Sequence, residues 1–255
     1  MQSNKKLEIR ELCKAYDKSV PVVNSLSFDV YDGEFLSILG SSGCGKTTLL
    51  RMLIGVLPPT AGVILKDGRD ITKLHPSKRG MGIVFQNYAL FENMTVFMNV
   101  AYALKIHRVE DYEQKTTDIL CRLGLWELRD KKPTTLSGGQ QQRVAIARTM
   151  VLCPDVILFD EPLSALDVST RLMMREEIKA LQKASEVTMI YVTHDQEEAF
   201  AMSDRIMVMK DGEIQQMDTP EGILNRPAND FVKSFVVDNL QARANVLQRY
   251  RREGL

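Results

Sequence analysis

Three stretches of the sequence predict an α/β fold. Gly40-Ser41-Ser42-Gly43-Cys44-Gly45-Lys46-Thr47-Thr48 follows the apolar run Phe35–Leu39 and precedes a helix-forming run, Thr47 to Ile54. Strand, glycine loop and helix in that order fit the phosphate-loop pattern G-x-x-x-x-G-K-[ST]. Ahead of it, Leu7 and Ile9, then Leu26, Phe28 and Val30, alternate with polar residues as half-buried strands do. Beyond it, residues 87–136 change to helical spacing. Together they describe a P-loop NTPase core with an antiparallel β subdomain and a helical subdomain.

The loop comes first in the chemistry. It places backbone N–H groups and the positive end of a helix around an anion. Lys46 is expected to reach the β- and γ-phosphates, and the Thr47 hydroxyl to sit on Mg²⁺. Gly55 and Pro58-Pro59 stop the helix. Cys44 has two readings. Lys46 and the helix end would stabilise a reactive thiolate there, or Cys44 is a small residue packed away from solvent. Upstream, Tyr16 is either an ordinary loop tyrosine or a face on which adenine stacks, a contact worth ~1–3 kcal/mol elsewhere.

The remaining elements follow in order. Asp32-Gly33 reads as a hairpin-type turn into Phe35–Leu39, and Asp67-Gly68 as a turn between Gly62–Leu65 and Asp70-Ile71. Met81–Phe85 is a short strand ending at Gln86. Thr95 caps a helix carrying Val96, Val100, Ala103 and Leu104, and a second helix covers Tyr112 to Leu123 with Ile119, Leu120 and Leu123 inward. No heptad pattern runs through this part.

Leu136-Ser137-Gly138-Gly139-Gln140 then opens a helix with Val144, Ala147 and Val151 on one face. A serine hydroxyl, glycine amides and a helix start make a second anion site. Two phosphate-reading loops in one chain suggest a triphosphate held between two subunits. Asp155–Phe159 is a buried-type strand ending in Asp160 and Glu161. Carboxylates there are unfavourable without a cation or a catalytic role. Asp160 fits the Mg²⁺-binding acid, and Glu161 the acceptor of a proton from attacking water. Ser164-Ala165-Leu166-Asp167 precedes a helix with Met174, Ile178 and Leu181 on one face. Val187–Thr193 is a strand with His194 at its end, where α/β ligand crevices lie. Ile206–Lys210 and Glu213–Met217 form a hairpin around Asp211-Gly212. A short helix runs from Pro220 to Asn225, and Asp230 to Arg252 is a polar-rich helix with a basic end.

Composition narrows the function classes. The chain has 255 residues, 44% hydrophobic and 26% charged, with formal net charge zero. That suits a sizeable core and gives no overall positive field for nucleic acid. No run approaches the ~20 apolar residues of a membrane span. The polar start, Met1 to Lys6, lacks the apolar centre of a signal peptide, so the expectation is a cytosolic product. Cys13, Cys44, Cys121 and Cys153 are far apart in sequence and are expected to be reduced thiols.

On the phosphate loop, the Leu136–Gln140 signature, Val156–Asp160 with Glu161, and Gln86, Ser164–Asp167 and His194 in order, the chain resembles the nucleotide-binding subunit of an ATP-binding-cassette (ABC) transporter. The resemblance covers residues 5–235, with a core of 5–86 and 137–226, a helical subdomain of about 87–136 and a C-terminal helical extension of 227–255. It implies a homodimer closed head to tail around two ATP molecules. Gly40–Thr48 of one subunit and Ser137, Gly138, Gly139 and Gln140 of the other would hold each ATP. Tyr16 would stack on adenine, Asp167 would lie at the dimer interface, and Thr47, Gln86 and Asp160 would hold Mg²⁺. The catalytic set would be Glu161, His194, Gln86 and Lys46. The implied partners are integral membrane permease subunits and an extracytoplasmic solute-binding protein, with the chain on the cytoplasmic face of the membrane and no nucleic acid bound. Tyr88 to Met94, with exposed-looking Tyr88 and Phe91, is expected to form the groove for a permease helix.

His75–Phe91 further resembles prokaryotic importers for polyamines, ferric iron, phosphonates and related solutes, with the taurine/nitrate and osmoprotectant branches as close competitors. Many members of the first group carry a further C-terminal regulatory barrel, which this chain is expected not to contain. The alternatives are a soluble ABC ATPase of repair or translation and an exporter ATPase. Repair types insert long coiled coils, translation types carry two cassettes, and Gln86–Leu90 leans to import.

Overall fold

The computed structural model describes residues 4–16 and 20–252, with side chains through 245. Asp17, beside Tyr16, and the side chains at the basic end of the last helix lie outside what it describes. The elements begin with β1 (Lys5–Lys14), β2 (Val23–Tyr31), β3 (Phe35–Gly40), α1 (Lys46–Ile54), β4 (Ala61–Lys66), β5 (Arg69–Asp70) and β6 (Met81–Val84). Next come α2 (Val96–Ile106), α3 (Tyr112–Arg122), α4 (Gly138–Met150), β7 (Val156–Asp160), α5 (Val168–Ser185) and β8 (Thr188–Thr193). Then follow α6 (Gln196–Met202), β9 (Arg205–Lys210), β10 (Glu213–Asp218), α7 (Pro220–Asn225), α8 (Asp230–Val232), a π-helical segment (Lys233–Asp238) and α9 (Asn239–Arg252).

Two compact units divide the chain, Met1–His75 with Ile190–Leu255, and Pro76–Met189. The first contains an antiparallel sheet in the order β2-β1-β4-β5 and a run of neighbouring strands β10-β9-β3-β8. In the antiparallel sheet Ile9 faces Phe28 on one side and Ile64 on the other, and all three are buried. The alternation of β1 and β2 suits a sheet with one covered face. β3 is different. All six of its residues are buried, Ser37 included. A strand apolar on both faces belongs in the middle of a parallel sheet, and β3 runs parallel to β9 with Ile38 opposite Met207.

That contrast corrects the reading of Asp32-Gly33. The two residues do form a turn, but β2 pairs with β1 and β3 pairs elsewhere, so the turn carries the chain from one sheet to another. Glu34 closes it. Its carboxylate accepts the Tyr31 N–H at 2.7 Å and pairs with Arg205 at 3.1 Å. Leu39, Ala199, Ile206, Val208, Ile223, Val232 and Val236 form one buried cluster of this unit, with Phe200, Phe231, Phe235 and Leu240 packed on it. Truncating one of the large aliphatic members to alanine is worth about 2–5 kcal/mol.

The second unit holds β6 and β7, parallel, with Ile83 opposite Leu158, and helices α2 to α5. Thr95 caps α2 by accepting the Met98 N–H at 3.2 Å. Val96, Val100 and Leu104 are buried, as their spacing requires. On α5 the buried residues are Met174, Ile178 and Leu181. Arg143 of α4 and Glu177 of α5 pair through two hydrogen bonds, one of them Nε to Oε2 at 2.8 Å.

Candidate active site

The phosphate loop is a consequence of where glycine is allowed. Gly43 and Gly45 have φ of +84° and +100°. A Cβ on Gly45 would lie 2.5 Å from the Val22 carbonyl oxygen, so no other residue fits. Gly45 is also the N-cap of α1 and offers no capping side chain. The helix start is therefore suited to an anion supplied from outside. Lys46 is 4% exposed, and its Nζ donates to the carbonyls of Gly40 at 2.7 Å and Ser41 at 2.9 Å. A lysine folded back into its own loop, beneath exposed Ser41, Ser42 and Gly43, is the donor set a polyphosphate needs. Thr47 and Thr48 are half-buried in the first turn of α1.

The loop is held from behind by a turn that the sequence did not connect to it. Gly212, in the β9–β10 turn, donates its N–H to the Cys44 carbonyl at 3.2 Å and accepts the Asn24 N–H at 2.9 Å. Its φ is +79°, and a Cβ there would meet the Val22 carbonyl oxygen at 2.7 Å. Gly212→Ala is expected to destabilise the protein by ~2 kcal/mol and to weaken nucleotide binding, because Val22 also roofs Gly45. A thermal melt and a fluorescent-nucleotide titration test this. An unchanged dissociation constant in the folded variant would uncouple the turn from the loop.

Cys44 resolves to the buried alternative. It is 3% exposed, beneath Gly40. Burial pushes its thiol above the ordinary range, against the opposing pull of the Lys46 charge. Cys121 and Cys153 are the exposed thiols among the described residues. A maleimide is expected to label these two and to spare Cys44, which peptide mapping by mass spectrometry reads directly.

Tyr16 is 58% exposed and carries Lys14 Nζ 5.5 Å from its ring centre. Lys14 thus lies over one face of a ring that is more than half exposed. His194 is exposed just past β8, a strand buried along its whole length.

In the second unit the residues singled out from the sequence fall into small linked groups. Asp160 ends β7 and is 8% exposed. Glu161 follows with φ +46°, a left-handed conformation it shares with several turn residues of this chain. Its carbonyl accepts the Ser164 hydroxyl at 2.9 Å and the Ser164 N–H at 3.3 Å. Gln86 Nε2 in turn donates to the Ser164 hydroxyl at 3.2 Å. One serine thus ties Gln86 to the backbone of Glu161. In the sequence Ser164 is only part of a loop; the fold brings it to both partners.

The signature loop is a capping box. Ser137 Oγ accepts the Gln140 N–H at 3.4 Å, and Gln140 Oε1 accepts the Ser137 N–H at 3.0 Å. Ser137 is exposed and Gly139 is buried. Cβ atoms on Gly138 and Gly139 would each come within 2.9 Å of a side chain, Leu166 and Thr170 respectively. Thr170 also donates its N–H at 3.0 Å and its hydroxyl at 2.6 Å to Asp167, the N-cap of α5. Ser169 donates its hydroxyl to the same carboxylate at 2.6 Å. The Ser169 and Thr170 hydroxyls hold the Asp167 carboxyl well below the usual carboxylate range, so it presents a fixed negative charge.

Tyr88 is a correction. The sequence presents it as an exposed aromatic beside Phe91, but it is buried at 6%, with a positive φ and its backbone carbonyl held by Arg148 at 2.9 Å. The turn after Gln86 folds the ring inward. Phe91 does stay 37% exposed, its ring 4.8 Å from that of Tyr102.

Fold and loop together define a phosphate-loop nucleotide-binding protein. The family described as "ABC transporter" matches residues 23–164, and the chain belongs to that family as an ATP-binding chain. It is 50% identical over 232 residues to the spermidine/putrescine import ATP-binding protein PotA of Marinobacter nauticus, covering 90% of this chain and 62% of that one. PotA of Bacillus cereus is 51% identical over 220 residues, 86% of this chain and 67% of that one. The chain therefore spans about two thirds of these relatives. A solved structure of cbiO1 from Clostridium perfringens, part of the ABC transporter complex cbiONQ, superposes with a TM-score of 0.81 at 29% identity, covering 88% and 92% of the two chains.

Proposed function

We propose that this chain is the ATP-hydrolysing subunit of an ABC importer, working with separate membrane permease subunits on the cytoplasmic face of the membrane. The observation that carries the reading is a caged phosphate-loop lysine and an exposed, capped Ser137–Gln140 loop in one chain. Relatives at 45–51% identity named for spermidine/putrescine import favour import, and favour a polyamine as the solute.

In this reading the loop amides and Lys46 bind the β- and γ-phosphates, Tyr16 stacks on adenine, and Ser137 and Gly139 of a second copy complete the site. Glu161 takes the proton of the attacking water, and His194 contacts the γ-phosphate. Thr47, Asp160 and Gln86 offer oxygen donors of the kind Mg²⁺ takes. When bound, Mg²⁺ would neutralise phosphate charge. A solute-binding protein outside the membrane would deliver the solute.

In this reading the permease contact is made by Phe91, from the Tyr88–Met94 stretch, together with the exposed face of α2. Met98, Tyr102 and Ile106 are exposed one turn apart on this helix. With Phe91, Tyr102 borders a cavity of about 720 Å³ that also touches His107, Arg148 and Leu152. No described helix is long and apolar enough to cross a membrane. Radiolabelled putrescine uptake by the assembled complex tests the proposal. Wild type is expected to accumulate solute, Lys46→Ala to lose both uptake and ATPase activity, and Phe91→Asp to lose uptake while the isolated subunit still hydrolyses ATP. Outward pumping from loaded vesicles would replace import by export. Full uptake in Phe91→Asp would move the docking face elsewhere.

A further inference from the structure

α6 begins two residues after His194. Its third residue, Glu198, is 4% exposed. A buried carboxylate is unfavourable unless hydrogen bonds hold it. Glu198 Oε2 accepts the Tyr191 hydroxyl at 2.9 Å and the Thr193 hydroxyl at 2.8 Å. Tyr191 and Thr193 are alternate residues of β8, so their side chains leave the strand on one face. Tyr191 is fully buried, its ring 5.9 Å from that of Phe35.

Thr193 does two things at once. Its oxygen donates to Glu198 and accepts the Asp195 N–H at 2.9 Å. A carboxylate only accepts, so the Thr193 proton must point at Glu198 and a lone pair is left for Asp195. Asp195 closes the circuit. Its Oδ1 accepts the N–H groups of Glu197 at 2.8 Å and Glu198 at 3.3 Å, capping α6. The residues on both sides of His194 are therefore fixed, while the His194 side chain itself is exposed.

We infer that Glu198 is a positioning residue for His194, acting through Thr193 and Asp195, which rests on the proposed role of His194 at the γ-phosphate. The imidazole is aimed by the peptide that carries it, and Glu198 sets that peptide's two neighbours. Removing the carboxylate leaves two buried hydroxyls to find other acceptors and frees the turn. A glutamine in its place still offers an oxygen to both hydroxyls.

The test is steady-state ATPase kinetics with nucleotide affinity measured in parallel. Glu198→Ala is expected to lose about 10- to 100-fold in kcat, with KM and the ATP dissociation constant within about threefold of wild type. Glu198→Gln is expected to recover most of the loss. Thr193→Val removes the same link without touching the buried charge and is expected to copy Glu198→Ala. It also serves should Glu198→Ala fail to fold. If Glu198 acts through His194, adding Glu198→Ala to His194→Ala lowers kcat no further. An additive double variant, or wild-type kcat in Glu198→Ala and Thr193→Val while His194→Ala is impaired, overturns the inference alone. Wild-type kcat in His194→Ala overturns the role of His194 and the inference with it.

Discussion

Replacing Glu161 by glutamine is expected to lower kcat for ATP hydrolysis about 10²- to 10⁴-fold and to leave ATP binding at its wild-type level. The substitution keeps the side chain's length and removes its basic oxygen. It leaves the phosphate loop untouched, because Lys46 is held by the Gly40 and Ser41 carbonyls within that loop. It leaves the backbone at 161 untouched as well. The φ of +46° is held by the carbonyl of Glu161, which takes both the Ser164 hydroxyl and N–H, and neither bond involves the side chain. The variant therefore separates binding from chemistry. Phosphate release at saturating ATP and a fluorescent-nucleotide titration measure the two halves. With hydrolysis blocked, an ATP-bound dimer is expected to accumulate on size exclusion. Turnover at the wild-type rate would remove Glu161 from the role of base.

The parts of this molecule that could be read from sequence are those that depend on near neighbours. Strand–loop–helix at Gly40–Thr48, the Thr95 cap, the inward face of α5 and the β9–β10 hairpin all follow from local spacing, and the fold has them. What was not legible depends on partners distant in the chain. Asp32-Gly33 carries the local signature of a hairpin, but the destination of β3 is set by its two apolar faces. Tyr88 looks exposed beside Phe91 until a positive φ turns it inward. Cys44 and Lys46 are two residues apart, yet burial outweighs the nearby charge. The helix α6 is not apparent from sequence periodicity, although Asp195 followed three residues later by Glu198 is the spacing of an N-terminal capping motif. Its seven residues are too few for a periodic signal. The π-helical turn at Lys233–Asp238 is hidden as well, because Phe231, Val232, Phe235 and Val236 repeat at ordinary α-helical spacing.

Two inactive variants are expected to make an active enzyme when mixed. Lys46→Ala removes the ammonium that the phosphate loop encloses, and Ser137→Arg removes the cap of α4 and sets a long cation in the exposed signature loop. Loss of the cap alone is worth ~1 kcal/mol, so Ser137→Arg is expected to stay folded and to fail at the nucleotide. If each ATP lies between the phosphate loop of one copy and the signature loop of another, the two lesions are complementary. A dimer with one variant in each copy then has one site carrying both lesions and one carrying neither. By two-fold symmetry an equal mixture that exchanges freely recovers about a quarter of wild-type activity. If each copy instead hydrolysed ATP within itself, every site would carry one lesion and the mixture would be as dead as its parts. Differently tagged variants, mixed with ATP and captured through one tag, establish that mixed dimers form. Captured mixed dimers with no phosphate release would refute the shared site. The location of Asp167 makes the expected geometry specific. Its fixed negative charge caps α5 through Thr170, whose methyl group closes on Gly139, so the loop expected to receive the second copy's nucleotide and the residue expected at the dimer face are braced by one threonine. Thr170→Val keeps the methyl contact and loses the hydroxyl bond to Asp167. In the mixed dimer it lowers the recovered activity more when placed in the copy that supplies the intact signature loop than in the copy that supplies the damaged one.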